Sequence, residues 1–246
     1  MIRKILKLCQ IFQKKYFLDA LLTHHVAASV EHSNIFRLLA TRNIKTIVDI
    51  GANRGQFALV SRYHLPQAKI ISFEPLNAPS IIFRSLFKSD SLTTLHEIAL
   101  GSIQQEMTIH VSKADDSSSL LPISEKQVQL FPGTEEKEVR SVNVAPLQEV
   151  LSSHDIIHPA FLKIDVQGFE LKVLQGSELL LPYFDNVYVE CSFIELYQGQ
   201  ALAWQVIEFL QEKKFFLCGV YNVSYDKKGL AVQGDFLFKN NREIYI

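Results

Sequence analysis

The stretch "TIVDIGANRGQF", residues 46–57, decides the fold of this chain. It begins with an apolar run typical of a buried strand, passes two glycines and returns to apolar residues at helical spacing. A strand, a tight turn and a helix in this order are typical of α/β proteins with a parallel sheet. Ligands bind at the carboxyl ends of such strands, so Asp49, Gly51, Asn53 and Gly55 are expected at a binding site.

The same alternation of strand and helix continues along the chain. Further strands are predicted in "AKIISFEP", "LTTLHEIAL", "AFLKIDV", "NVYVECS", "FFLCGVYN" and "GDFLFKN". The last two are joined by a turn around "DKKG", which favours an antiparallel pair. The other connections imply right-handed parallel crossovers. We therefore predict an α/β fold with a seven-stranded, mostly parallel sheet and helices on both faces.

The pattern is less regular between the third and fourth of these strands. "EMTIHVSK" is predicted as a strand at the sheet edge or in a hairpin, and "RSVNVAPLQEVLSS" as a short strand and a helix. Residues 112–138 are polar, and an irregular segment of this length inside a compact domain is typical of an active-site cover. Within it, Ser118 and Ser119 either cap a helix or bind substrate hydroxyls.

Length and composition limit the class of protein. With 246 residues, 48% hydrophobic content and a net charge of −1, the chain is expected to form one globular domain, residues 44–246, with a helical extension at 1–43. The balanced charge argues against nucleic acid as a partner. Three widely spaced cysteines argue against a disulfide framework or a zinc site, so a cytoplasmic location is expected.

Residues 1–17 are basic and amphipathic, and residues 19–43 are predicted to be helical. The apolar run at the start is too short to span a bilayer and too charged for a secretory signal. Two interpretations of residues 1–17 stay open. They form either a surface helix that packs on its own domain or a peripheral helix at the inner membrane face.

The glycine turn after the first strand favours one class of ligand. No Gly-Lys-Ser/Thr follows, which excludes a nucleotide-phosphate loop. Asn53 replaces the second glycine of the dinucleotide-binding pattern, so pyrophosphate would lose its closest approach. Asp49 is unfavourable for phosphate but suits a cation, such as a sulfonium with an amino-acid tail.

Glu74 ends the second strand, 25 residues after Asp49 (74 − 49 = 25). An acid in this position accepts the ribose hydroxyls of an adenosine group. S-Adenosylmethionine satisfies both the cation and the ribose requirement, whereas NAD satisfies only the second.

Acids also follow the fourth and fifth strands of the predicted sheet. Asp165 is expected above the cofactor crevice as a catalytic or cofactor-binding residue. Lys163 either contacts substrate or pairs with a nearby acid. Glu190 is either a general base or a buried acid bonded to backbone amides, and Glu195 is a candidate contact for sugar hydroxyls. His32 either reaches the site from the N-terminal helix or, as is expected, is a surface or core histidine.

These stretches together resemble the FkbM-type methyltransferase family, over roughly residues 24–243. The resemblance is carried by "VDIGANRGQF", "IISFEP", "IALG", "FLKIDVQGFELKVLQG" and "VYVECSFIELYQGQ", and "DDSSSLLP", "FPGT", "GVYN" and "VQGDFLF" look like a bacterial branch. The usual family pattern has an acid where this chain has Gln167, so a direct role for an acid at that position is not expected here.

The resemblance implies a class I methyltransferase fold and S-adenosylmethionine-dependent methyl transfer to a hydroxyl of a sugar, glycolipid or secondary metabolite. By motif, it assigns the cofactor site to Asp49, Gly51, Asn53, Gly55, Gln56, Phe57, Glu74, Pro75, Ala99 and Asp165. No histidine spacing indicates a metal site, and Mg²⁺ is neither required nor excluded. A nicotinamide-dependent oxidoreductase, a non-catalytic cofactor-binding protein, methyl transfer to nitrogen and a homodimer stay open as alternatives.

Overall fold

The structure is a computed structural model that describes residues 2–241, with side chains from residue 6 onward. The helices are α1 (Ile2–Phe12), α2 (Lys15–His24), α3 (Ser33–Thr41), α4 (Gln56–His64), α5 (Asn77–Leu86), α6 (Glu125–Leu130), α7 (Leu147–Val150), α8 (Glu170–Gln175) and α9 (Ala203–Glu212). The strands are β1 (Thr46–Ile50), β2 (Lys69–Phe73), β3 (Thr93–His96), β4 (Ala99–Leu100), β5 (Gln105–Ser112), β6 (Glu136–Ala145), β7 (Ala160–Ile164), β8 (Asn186–Ser192), β9 (Phe215–Tyr225) and β10 (Ala231–Asn240).

The main sheet has seven strands in the order β3-β2-β1-β7-β8-β10-β9. Strand β1 lies at the point where the order reverses, and it pairs in parallel with β2 on one side and β7 on the other. Only β10 runs against its neighbours, β8 and β9. The sheet has the class I methyltransferase layout, which confirms the fold predicted from the sequence. Because the order reverses at β1, a crevice opens beyond its carboxyl end.

Both faces of the main sheet are covered. Neighbouring residues of β1 point to opposite sides, so Ile47 joins one buried cluster while Val48 and Ile50 join the other. The first cluster includes Phe36 of α3, and the second includes Leu210 of α9. A strand buried on both faces reads as a continuous apolar run, which explains why β1 was recognisable in the sequence.

A second, three-stranded sheet has the order β4-β6-β5. The expectation that "LTTLHEIAL" forms one strand is wrong, because β3 pairs with β2 whereas β4 pairs with β6. Between them, Glu97 is held by Arg84 and Asn77 of α5, and the chain changes sheets there. The stretch "EMTIHVSK" forms β5, which pairs antiparallel with β6, so the hairpin alternative is correct.

Residues 112–138 contain more regular structure than the sequence predicted. A 3₁₀ turn covers Asp115–Ser117, and α6 begins after Ser124, whose hydroxyl accepts a hydrogen bond from the Gln127 amide. The last residues of the segment already belong to β6. The polar composition therefore reflects a capped short helix and the start of β6 as well as loop.

The helical start of the chain is broken, although residues 19–43 were predicted to be continuously helical. His25 has a left-handed φ of 56°, which ends α2, and a 3₁₀ turn at Val30–His32 precedes α3. Ile11, Phe17 and Val26 are buried in the same cluster as Ile47. The break carries residues 25–32 to the carboxyl edge of the sheet. In the described part of the chain no helix has the length and apolarity needed to cross a bilayer.

Candidate active site

A cavity of about 1240 Å³ lies at the carboxyl edge of the main sheet. It is walled by the loops after β1, β2 and β7, by Glu190 in β8, by residues 25–32 and by the ends of β9 and β10. Pockets for a single small ligand usually measure roughly 300–1,000 Å³. The cavity therefore has room for a nucleoside-sized molecule and part of a second ligand.

The loop after β1 approaches the end of β7 closely. Gly51 has a φ of +78°, and a Cβ at this position would lie 1.8 Å from the carbonyl oxygen of Asp165. The amides of Gly51 and Ala52 both donate to the Phe73 carbonyl of β2, at 3.0 and 2.9 Å. The turn is thus fixed between two neighbouring strands, and only glycine fits at Gly51.

Glu74 is anchored at the end of β2 by backbone amides. Its Oε2 accepts from the Asn53 amide at 2.9 Å and its Oε1 accepts from the Leu76 amide at 2.8 Å. Burial raises the pKa of Glu74 to about 7, against the opposing effect of these two hydrogen bonds. Each carboxylate oxygen has more than one lone-pair site, so both oxygens can still accept a hydroxyl from the cavity.

Asp49 and Lys163 form a buried ion pair beneath the glycine loop. Asp49 is fully buried, and its Oδ1 lies 3.0 Å from the Lys163 Nζ. The same ammonium donates to the carbonyls of Gly51 and Ile50, at 2.8 and 3.3 Å. Lys163 therefore has a partner in a nearby acid, the second of the two alternatives for this residue. Burial raises the pKa of Asp49, and Lys163 opposes that shift.

Gln167 links the acids that follow β7 and β8. Its Nε2 donates to Asp165 Oδ1 at 2.7 Å and to Glu190 Oε2 at 2.8 Å. Its Oε1 accepts from the Tyr197 hydroxyl at 2.7 Å. The other oxygen of Glu190 accepts from Gln233 Nε2 at 2.9 Å. Glu190 is therefore held by side-chain amides and not, as one alternative had it, by backbone amides.

The environment of Glu190 favours its neutral form. Burial raises its pKa well above the ordinary value, and the nearby Asp165 and Asp235 carboxylates act in the same direction. In contrast, the Asp165 side chain is 37% exposed and lines the cavity. Asp165 and Glu190 thus differ in exposure, although the side-chain amide of Gln167 donates to both.

Contacts from residues 115–119 connect the cover segment to the site. Arg54, in the glycine loop, donates through Nε to Asp115 Oδ2 at 2.8 Å. Ser119 Oγ donates to the Gln167 carbonyl at 2.5 Å, and Ser118 Oγ accepts from the Ser112 amide at 3.1 Å. Arg54 was not predicted as a site residue, since an arginine in a surface turn carries no signal without its partner.

The remaining predicted site residues divide between the cavity wall and other places. Those in the wall are Gly51, Asn53, Gln56, Phe57, Pro75, Ala99, Ser118 and Ser119. Gly55 packs instead against the rings of Phe83 and Phe87. Glu195 is exposed and accepts from the Gly199 amide at 2.7 Å, away from the cavity. Asp49 lies behind the wall.

A second polar cluster, which the sequence did not predict, lies in and behind the opposite wall of the cavity. Asp235 Oδ2 accepts from the Tyr188 hydroxyl at 3.0 Å and from Asn222 Nδ2 at 2.7 Å. His32 Nδ1 lies 3.1 Å from the Tyr188 hydroxyl and 3.6 Å from Asp235 Oδ2. His32 is therefore part of the cavity wall, so the interpretation that brings it to the site is correct and the expected place at the surface or in the core is not. The sequence signal for this cluster was Asp235, a lone acid in the apolar strand "GDFLFKN".

Helix α1 contributes Leu6, Lys7 and Gln10 to the cavity mouth. Lys7 Nζ pairs with Glu31 Oε1 at 2.8 Å. On the other side of the helix, Leu8 and Phe12 are 45% and 58% exposed. Helix α1 buries Ile11 in the core but leaves these two apolar side chains exposed, whereas an ordinary surface helix exposes mainly polar residues.

No group of three or more His, Cys, Asp or Glu side chains within residues 2–241 is arranged to hold a metal ion.

Solved structures resemble the chain weakly: the plantazolicin methyltransferase BpumL in complex with SAH has a TM-score of 0.46 at 10% identity, covering 92% of this chain and 89% of that one. A putative tRNA (m1A22) methyltransferase of Streptococcus pneumoniae, in complex with S-adenosyl-L-methionine, has a TM-score of 0.47 at 8% identity, covering 84% and 72%.

Similar sequences are also methyltransferases. The 2-O-methyltransferase NoeI of Sinorhizobium fredii is 27% identical over 222 residues, which is 86% of this chain and 85% of the relative. The methyltransferase sdnD of Sordaria araneosa is 28% identical over 197 residues, 69% of this chain and 73% of the relative. The family model described as the methyltransferase FkbM domain matches residues 49–217. The chain belongs to this family of methyltransferase enzymes.

Proposed function

We propose that this methyltransferase moves the methyl group of S-adenosylmethionine to a hydroxyl oxygen of a sugar, glycolipid or secondary-metabolite acceptor. The observation that carries the proposal is the geometry of Glu74, whose carboxylate is held by the amides of Asn53 and Leu76 at the edge of the cavity. A fixed acid beside a glycine turn matches the two hydroxyls of an adenosine ribose.

The residues around the glycine turn fit the rest of this cofactor. The loop 51–54 lines the cavity, so a ligand can lie against it. Asp165 contributes a cavity-facing carboxylate, which complements a cationic sulfonium. Asp49 acts one layer behind, through Lys163 and the carbonyls of the loop. When bound, the cofactor supplies an electrophilic methyl group.

Two observations support a hydroxylated acceptor. The cavity exceeds the size expected for one ligand, and its far wall carries the uncharged amides of Asn222 and Gln233 beside Asp235. Such groups recognise hydroxyls by hydrogen bonds. The relative NoeI is named a 2-O-methyltransferase, which is consistent with oxygen as the methyl acceptor.

Positioning supplies much of the rate enhancement in this mechanism. An acceptor oxygen held in line with the methyl carbon reacts in a single displacement. Asp165 and Glu190, tied to one another through Gln167, orient the acceptor near the reacting carbon, and from the sequence either acid is a candidate base. The segment 112–138, attached through Arg54–Asp115 and Ser119–Gln167, excludes water from the site.

A nicotinamide-dependent oxidoreductase remains the alternative of a different class. It is disfavoured because Asn53 takes the place of the glycine that would approach pyrophosphate. The Asn53 side chain accepts from the Arg54 amide at 2.7 Å, so it occupies a backbone donor that a phosphate would use.

Helix α1 is proposed to contact an anionic membrane surface. Its outward side carries Leu8 and Phe12, and the segment 1–17 is rich in Lys and Arg without an acid. Exposed apolar residues flanked by basic ones favour the lipid interface. Because the opposite side of α1 forms the cavity mouth, this contact would bring the site close to a glycolipid acceptor.

Radiolabelled methyl transfer tests the function. The full chain is incubated with S-[methyl-¹⁴C]adenosylmethionine and, in separate reactions, with methyl glycosides, glycolipid extracts and a protein substrate. Label is expected in a hydroxylated acceptor and should be lost with Glu74→Ala. Label only in amino groups, or transfer that Glu74→Ala leaves unchanged, would contradict the proposal. Lys88→Met, at an exposed position after α5, serves as the control.

A further inference from the structure

The cluster of His32, Tyr188, Asn222 and Asp235 is built by parts of the chain that the family match does not include. The match covers residues 49–217, whereas His32 precedes it and both Asn222 and Asp235 follow it. Only Tyr188 lies inside. The cluster nevertheless lies at the cavity that holds Glu74 and Asp165. Three of the four residues of the cluster therefore come from outside the matched region.

The hydrogen bonds of the cluster form a chain that ends at the cavity. Asp235 Oδ2 accepts from the Tyr188 hydroxyl, and Tyr188 Oη lies 3.1 Å from His32 Nδ1. Because Tyr188 uses its only proton toward Asp235, its oxygen is free to accept one from His32 Nδ1. Asn222 Nδ2 lies 3.3 Å from Nδ1, but it donates to Asp235 Oδ2 at the shorter distance of 2.7 Å. The Asp235 carboxylate, 3.6 Å from Nδ1, favours a proton on that nitrogen.

This assignment leaves the other ring nitrogen of His32 as a lone-pair acceptor. His32 lines the cavity with its side chain 15% exposed, and Nε2 makes no hydrogen bond to any residue of the described chain. Phe57 and Tyr188 pack edge-to-face on the ring and fix its orientation. An imidazole oriented through Nδ1 with a free Nε2 is the arrangement of a general base.

The two acids predicted as bases are less suited to that role. Glu190 is buried beside the Asp165 and Asp235 carboxylates, which favour its protonated form, and a protonated carboxyl group cannot take up another proton. Asp165 accepts from the same Gln167 amide and lies 3.9 Å from the Lys163 ammonium, so its carboxylate is held toward these two side chains.

We propose that His32, oriented by Tyr188 and Asp235, is the general base that deprotonates the acceptor hydroxyl. This inference rests on the proposed function and specifies its acceptor end. As the oxygen–methyl bond forms, the sulfur–methyl bond breaks and its electron pair stays on sulfur as a neutral thioether. The hydroxyl proton passes to His32 Nε2, and Asp235 stabilises the resulting imidazolium through Tyr188 and directly. Asn222 holds Asp235 in place.

The protonation site of His32 is testable without an acceptor. ¹⁵N-histidine-labelled full-length protein is examined by long-range ¹H–¹⁵N correlation above the imidazole pKa, with His32→Gln identifying the signal. The proposal requires the Nδ1–H tautomer, and Tyr188→Phe should shift the population toward Nε2–H. A wild-type His32 in the Nε2–H tautomer would overturn the inference. The titratable groups that act on the ring are Asp235, Tyr188 and Asp49.

Kinetics on a glycoside methylated by the wild type test the chemical role. General-base catalysis contributes about 10²–10⁴-fold, so His32→Gln should lower kcat at least a hundredfold while the KM for S-adenosylmethionine changes less than twofold. Asp235→Asn should lower kcat and weaken its rise with pH. His154→Gln, in an exposed 3₁₀ turn, is the matched control.

The outcomes separate this inference from the proposed function. If His32→Gln binds the cofactor and transfers the methyl group with the kcat of the wild type, the role of His32 is overturned and the proposed function stands. Absence of both cofactor binding and transfer in the wild type would reject the proposed function, and the inference with it.

Discussion

The two ends of the cavity are constructed differently. At the end formed by β1 and β2, backbone amides, a glycine turn and one buried ion pair fix Glu74 within a short stretch of chain. At the other end, the side chains of His32, Asn222 and Asp235 meet from segments nearly two hundred residues apart. The first end is therefore part of the fold itself, whereas the second depends on side chains added to it. Changes at the first end should cost stability, and changes at the second should mainly alter chemistry.

The largest effect is expected from Lys163→Met. The substitution leaves Asp49 fully buried without its partner, and removing one member of a buried pair costs about 3–5 kcal/mol. Urea unfolding should show this loss, and Lys126→Met on the surface should change the free energy of unfolding little. A loss below about 1 kcal/mol would mean that the ion pair does not hold the glycine loop.

Gly51→Ala should lower the free energy of unfolding almost as much as Lys163→Met. A Cβ would lie 1.8 Å from the Asp165 carbonyl oxygen, and the φ of +78° is unfavourable for alanine. Strain and overpacking together predict a loss of about 2–5 kcal/mol of the free energy of unfolding. Gly133→Ala is the matched control, since Gly133 has a φ of +96° but open space around its Cα. Equal losses in both variants would show that backbone conformation alone, and not the close approach, requires glycine.

A smaller effect, on the pH dependence of cofactor affinity, is expected from Glu74 at the same end of the cavity. Its pKa is raised to about 7 by burial, so the carboxylate that accepts ribose hydroxyls becomes dominant only above that pH. The affinity for S-adenosylmethionine should therefore rise about tenfold from pH 6 to pH 8, following the ionised fraction. In the ligand-free protein, the effect of Glu74 on stability has the opposite pH dependence and falls as the pH rises. The raised pKa favours the protonated fold, so this contribution to stability is complete below about pH 4.5 and lost as the pH rises through about 7.

Calorimetry at several pH values measures the affinity, and Glu74→Gln should give a weaker but pH-independent value. An unchanged pH dependence in that variant would assign the effect to another acid, such as Glu170, whose pKa burial also raises to about 7.

The smallest effect concerns α1, which borders the cavity mouth. Leu8→Glu with Phe12→Glu should reduce binding to vesicles of anionic phosphatidylglycerol, and neutral phosphatidylcholine vesicles should bind weakly in both cases. The control is Leu230→Glu, at a turn where the side chain is 66% exposed. Cofactor affinity should stay unchanged. Equal vesicle binding by the double variant and the wild type would contradict the proposed membrane contact.

The same contrast explains what could be predicted from the sequence. Strand β1, the glycine turn and Glu74 lie within a short stretch whose apolar pattern and spacing carry their own signal. The mostly parallel sheet followed from the alternation of strands and helices. The pairing of β4 with β6 could not be predicted, because a strand of two residues is too short for its sequence to indicate a partner strand.

The far end of the cavity was not predictable for a related reason. His32 is positioned by the left-handed turn at His25, and Asp235 by its register opposite Glu190 in the β8–β10 pair. Neither contact is encoded by local spacing. Gln167 was noticed only as a departure from the family pattern, whereas the structure gives it hydrogen bonds to both Asp165 and Glu190.

One titration tests the central claim that the cofactor end and the acceptor end are separate parts of a single site. S-Adenosylmethionine, S-adenosylhomocysteine and NAD are titrated calorimetrically into the wild type, Glu74→Ala and Asp235→Asn. We expect the wild type and Asp235→Asn to bind the first two ligands within a factor of about two, and Glu74→Ala to bind them at least tenfold more weakly, the loss of about 1.5–3 kcal/mol expected for charged hydrogen bonds. Binding of NAD alone, or equal losses in both variants, would contradict the account.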